Sequence, residues 1–163
     1  MKVICLSALA LGLFVEQAAF AQGIRVGTFH RPSIVVAYTR SRLKAETVMK
    51  PKLAEMQAAK AANDSKKVDE LNQWGRAQQE LVHGQLAGER PIDDIVEALK
   101  PGFPEIASRA GVVLIAPDVA FAAPGVELVD VTDNVLDWLE SDDATRKVVR
   151  QLREHPGPVP PLH

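Results

Sequence analysis

Two long helix-forming stretches meet at Asn63-Asp64-Ser65, and that junction constrains the fold more than any other part of the chain. Residues 40–62 are rich in Ala, Lys, Glu, Met and Leu, which lose little freedom in a helix. Residues 66–85 place Val68, Leu71, Leu81 and Val82 at helical spacing, with Trp74 and Gln78 between them. A three-residue polar turn allows little but a reversal, so the spacing predicts an antiparallel α-helical hairpin over about 40–88, with Asp64 or Ser65 capping the second arm. Each arm would have roughly 20–25 residues and reach about 30–35 Å. Pro51 removes a donor inside the first arm and predicts a kink near Lys50. Gly75, Gly84 and Gly88 are further expected breaks in the second.

Strand signals lie on both sides of this hairpin. Residues 22–29 alternate, with Ile24, Val26 and Thr28 set against Arg25, Gly27 and Phe29. Residues 34–38 have strand propensity, but Pro32 just before them favours a helix start. After the hairpin, Pro91 opens a helix with Ile92, Ile95, Val96 and Leu99 on one face, and Pro101-Gly102 ends it. Residues 103–110 read as one more helix, with Gly111 at its C′ position. Val112 to Ala116 is a continuous apolar run suited to a buried strand, and Val119 to Ala122 reads as another. Thr132 is the expected N-cap of a helix to Glu140, and Ser141-Asp142-Asp143 begins a last one to about Arg153. The order predicts an α+β domain: a small β-sheet or barrel core from N- and C-terminal strands, with the helical hairpin inserted between them. So few strands make a marginal sheet alone, which favours assembly with further copies.

Met1-Lys2, the uncharged run Val3 to Val15 and Ala19-Phe20-Ala21 form, in that order, the pattern of a secretory signal peptide over 1–21, cleaved between Ala21 and Gln22. The expectation is export to the periplasm, a domain over 22–154 and a proline-rich disordered tail over 155–163. Cys5 is the only cysteine and leaves with the signal peptide, so no disulfide can staple the domain. No segment of the remaining chain is long and apolar enough to span a membrane. A formal net charge of −2 and 5% aromatic content argue against a nucleic-acid surface.

No residue qualifies as catalytic, cofactor-binding or metal-binding. Glu80-x-x-His83 has di-iron-bundle spacing but occurs once, where such a site needs two copies and further Glu residues. His30 beside Arg31 lacks a carboxylate or nucleophile nearby in sequence, and no glycine fingerprint is present. Asp130, Asp133 and Asp137, like Asp142 and Asp143, sit at helix starts, where capping and the helix dipole account for them. On the hairpin, Leu53, Met56, Leu71 and Trp74 either zip the two arms together or form an apolar patch for contacting client proteins.

Ile24-Arg25-Val26-Gly27, then Val112-Val113-Leu114-Ile115-Ala116 with Asp118-Val119-Ala120-Phe121-Ala122, and finally Val131-Thr132-Asp133-Asn134-Val135-Leu136, together resemble the Skp/OmpH-like family of periplasmic chaperones. The resemblance implies a homotrimer built on a small central barrel, with helical arms that hold unfolded or outer-membrane proteins near the outer membrane. It implies no cofactor and no enzymatic activity. The arms here are shorter than the family's, and their charges nearly balance: Lys44, Lys50, Lys52, Lys60, Lys66 and Lys67 are answered by Glu46, Glu55, Asp64, Asp69, Glu70 and Glu80. A structural envelope protein that binds one fixed partner through its hairpin is the alternative expectation.

Overall fold

A computed structural model describes residues 23–154. The expected signal peptide with Cys5 and the Ala21–Gln22 cleavage site, and the expected tail from His155, lie outside the described residues.

Strand β1 (Ile24–Thr28) leads into α1 (Arg31–Arg40), whose Pro32 occupies the first turn. Ile34-Val35-Val36 becomes helix despite its strand propensity because of where it lies. Every residue from Ser33 to Tyr38 is buried, and α1 packs against four other helices. β-Branched residues cost a helix roughly 0.5 kcal/mol each, whereas burying each such side chain returns about 1.5–3 kcal/mol. Burial wins, and a helix apolar around its whole circumference belongs in the interior.

Ser41 then leaves helical geometry and accepts from the Lys44 backbone N–H through its hydroxyl. A single turn, α2 (Arg42–Lys44), and a π-helical turn (Ala45–Met49) lead into α3 (Lys50–Ala61). The first arm is therefore three pieces, and the expected kink near Lys50 takes the form of this π turn just ahead of Pro51. Pro51 thus lies in the first turn of α3, where a missing N–H costs least.

Helix α3 ends at Asn63, which takes a left-handed conformation (φ 55°). Asp64 N–H reaches back to the Ala59 carbonyl at 2.9 Å, closing a Schellman turn. The Asp64 carboxylate then caps α4 (Ser65–Leu86) through the Lys67 N–H at 2.9 Å. Contrary to the expectation, α4 runs unbroken through Gly75 and Gly84. Helices α3 and α4 pack against each other, and the C-terminal end of α4 enters the core through Val82 and Leu86.

Helix α5 (Asp93–Leu99) and a 3₁₀ turn (Lys100–Gly102) precede α6 (Phe103–Ala110). Gly102 is buried directly under the Trp138 ring, where any side chain would collide. Gly111 takes φ 63° at the end of α6, with Val112 N–H bonded to the Ala107 carbonyl at 3.0 Å. Strand β2 (Leu114–Ile115), strand β3 (Val126–Asp130), α7 (Thr132–Trp138) and α8 (Asp143–Glu154) complete the described chain.

The three strands form one sheet in the order β2-β1-β3, every pair parallel. The architecture is thus mixed α and β with a small sheet made from N- and C-terminal strands. Among the described residues the sheet is open, not a closed barrel. The last strand is also misplaced by sequence reasoning. Val119–Ala122 is irregular, with Phe121 81% exposed, and the pairing partner of β1 is Val126–Asp130. Its Glu127 obscured the strand signal, although that carboxylate is spaced to meet Arg25 of β1 at 3.0 Å.

Thr132 does not cap its helix. Its hydroxyl accepts from the His30 backbone N–H at 2.8 Å and ties α7 to the end of β1, while the Asp130 carboxylate takes the Thr132 N–H.

Candidate functional site

The helix pair carries a cavity of about 620 Å³, within the range of ligand clefts. Leu53, Met56, Leu71 and Trp74, the four side chains singled out on the sequence, all line it. They divide the two expected roles between them. Leu71 is buried and zips the arms; Met56 and Trp74 are half-buried; Leu53 remains 56% exposed at the rim. Both the pairing of the arms and the open apolar patch are therefore present in one place.

The surrounding elements explain the opening. The π turn carries Met49 to the cavity edge, and α3 and α4 supply the facing walls. Lys52 lies over the Trp74 ring, its ammonium 5.8 Å from the ring centre. The same ammonium holds Glu55 at 2.9 Å, and that hydrogen bond keeps the Glu55 carboxyl below its ordinary range.

Sequence reasoning missed two polar groups at the inner end. Lys44 is only 9% exposed and lines the cavity, its ammonium 5.5 Å from the centre of the Tyr38 ring. Burial lowers its pKa, opposed by the nearby Asp94 carboxylate. Thr39 also lines the cavity, and its hydroxyl oxygen is buried with no hydrogen-bond partner among the described residues. Nothing in the local sequence signals either role, because the break at Ser41 is what turns Lys44 inward.

A second surface lies on the sheet. Register places Leu114, Val26 and Leu128 in one row across the three strands, and Ile24 with Val126 in the next. Gly27, Ile115 and Val129 form the opposite face against the helices. On the outer face Ile24 is 59% exposed, Leu114 56% and Leu128 47%. Parallel sheets normally have both faces covered, so this bare apolar face is unusual.

The remaining candidates have structural explanations. Glu80 and His83 are exposed on α4, and no cluster of His, Cys, Asp or Glu suited to a metal occurs among the described residues. The His30 ring nitrogen Nδ1 meets the Ser33 hydroxyl at 2.7 Å, but Ser33 is fully buried and no substrate reaches it. Asp130 and Asp133 share Arg153, Asp137 pairs with Arg146, and Asp142 caps α8 through the Thr145 N–H. These carboxylates hold α7 and α8 together. No family model, curated protein or solved structure matches the chain.

Proposed function

We propose that this protein is an exported, Skp/OmpH-like binding protein that acts as a periplasmic chaperone, holding unfolded or outer-membrane clients against its helix pair. The observation that carries the reading is the convergence of Leu53, Met56, Leu71 and Trp74 on one cavity of about 620 Å³ with an exposed apolar rim. Met adapts its shape to different partners, and an apolar patch left open to water marks an interaction surface.

The bare sheet face supports assembly of copies. Packing these faces together, three copies to a particle, would cover Ile24, Leu114 and Leu128 and give the parallel sheet its second layer. The arms, whose tips are exposed from Ala61 to Lys66, would remain free for clients.

Native mass measurement tests the assembly: a trimer is expected, and a stable monomer at micromolar concentration would remove it. Suppression of aggregation of a denatured outer-membrane protein tests the function. Leu53→Asp should abolish it while leaving the fold intact, and the absence of suppression by the unaltered protein at molar excess would end the chaperone reading. The short, nearly neutral arms also suit a structural protein with one fixed envelope partner. Crosslinking in cells separates the two, since a single dominant adduct favours the fixed partner and a broad ladder favours the chaperone.

A further inference from the structure

The charges around the cleft are one-sided. Lys44, Lys52 and Arg76 line it, with His83 beside them, and not one carboxylate does. This occurs in a chain whose formal net charge is −2. Three other lysines of the described residues are neutralised locally: Lys50 by Glu46 at 2.5 Å, Lys67 by Glu70 at 3.6 Å, Lys100 by Glu97 at 2.5 Å. Lys52 is offset in the same way by Glu55. Lys44 has no carboxylate within ion-pair distance among the described residues; the nearby Asp94 accepts from the Gln85 amide at 2.7 Å.

The Lys44 side chain is largely buried, and its ammonium rests over the Tyr38 ring with the Asp94 carboxylate only partly offsetting the cost of burying its charge. Lys44 lines the same cleft as the apolar side chains of Leu53, Met56, Leu71 and Trp74. We infer that the cleft is a binding site for a monoanionic amphiphile of the fatty-carboxylate class, its carboxylate on the Lys44 ammonium and its alkyl chain along Met56, Leu53 and Trp74. The ammonium donates to the carboxylate, and the acyl chain covers apolar surface that water otherwise wets. The inference goes beyond client holding, because it requires a charged head group that an apolar protein segment does not need.

Titration calorimetry of the full chain with dodecanoate, dodecanol and dodecylammonium, each below its aggregation concentration, reads this directly. Dodecanoate should bind saturably at one per chain, and the other two about tenfold more weakly or less, as expected for losing one charge-assisted bond. Lys44→Met should cut dodecanoate affinity about tenfold and leave dodecanol unchanged. Lys44→Arg should largely restore it, and Trp74→Ala should weaken dodecanoate and dodecanol alike. If Lys44→Met fails to fold, the three head groups on the unaltered chain still decide the matter. Equal affinity for the three head groups, or unchanged dodecanoate binding in the folded Lys44→Met protein, overturns the inference. Aggregation suppression measured without amphiphile reports on the client reading separately, so the failure of one is not mistaken for the failure of the other.

Discussion

Helices α1 and α3 are of similar length, 10 and 12 residues, yet they are stabilised in opposite ways. Helix α1 buries six residues in succession and is made of poor helix formers. Helix α3 buries only Ala59 and is made of good ones, with Lys50–Glu46 and Lys52–Glu55 pairs along its exposed side. The first is held by packing, the second by propensity and by its neighbour α4. A helix that does not depend on its own apolar side chains for stability can leave them open to a partner, and that is where Leu53 and Met56 are found.

The comparison breaks most readily in the core. Ile34→Ala in α1 should cost about 2–5 kcal/mol, since the side chain is fully buried in a packed interior. Leu53→Ala in α3 should stay within about 0.5 kcal/mol. Urea denaturation of both variants measures the contrast, and equal losses would erase the distinction between the two helices.

Leu71→Ala should fall between them, at about 2 kcal/mol, because this residue is buried in the seam of the helix pair and not in the main cluster. Hydrogen exchange should then show α3 and α4 opening while α1 stays protected. Asp64→Ala should cost about 1 kcal/mol through loss of the cap on α4. Its effect on exchange should be confined to the first turns of that helix.

The smallest effect is a pH dependence at the core end. Burial lowers the His30 pKa from its ordinary 6.5, Arg153 adds to the shift and Asp130 opposes it. The folded protein therefore binds this proton less readily than the unfolded chain. The His30 contribution is complete above 6.5 and declines as pH falls from there towards the lowered value. Glu46, Glu55 and Asp142 are shifted down as well, the first two by hydrogen bonds from Lys50 and Lys52 and the last by the Thr145 N–H. Their contributions are present above the ordinary carboxylate range and are lost only in more acid solution, as pH falls through their lowered values. Denaturation midpoints followed from pH 7 towards about pH 5 should thus drop slightly, and His30→Asn should flatten that part of the curve.

Local chemistry was enough for much of the molecule. Asn63 and Asp64 end one helix and start the next through bonds spanning only a few residues, so the helix pair was readable from the sequence. Gly111 closes α6 for the same reason. The four apolar residues of the cleft were readable from their helical spacing, because neighbours at three and four residues share a face whatever surrounds them.

Other features required partners distant in sequence. Val126–Asp130 became the third strand, in place of Val119–Ala122, because its register with β1 sets Arg25 against Glu127 and Val26 against Leu128. Thr132 abandoned capping for the His30 N–H, which lies 102 residues earlier. Lys44 follows the break at Ser41 and lines the cleft together with residues of α3 and α4. The sequence by itself determined the helix ends and the amphipathic faces, since those depend on atoms a turn or two apart. Strand pairing, the exposed face of the sheet and the place of Lys44 in the cleft were decided only when the chain closed on itself, because each depends on which distant groups come to lie together.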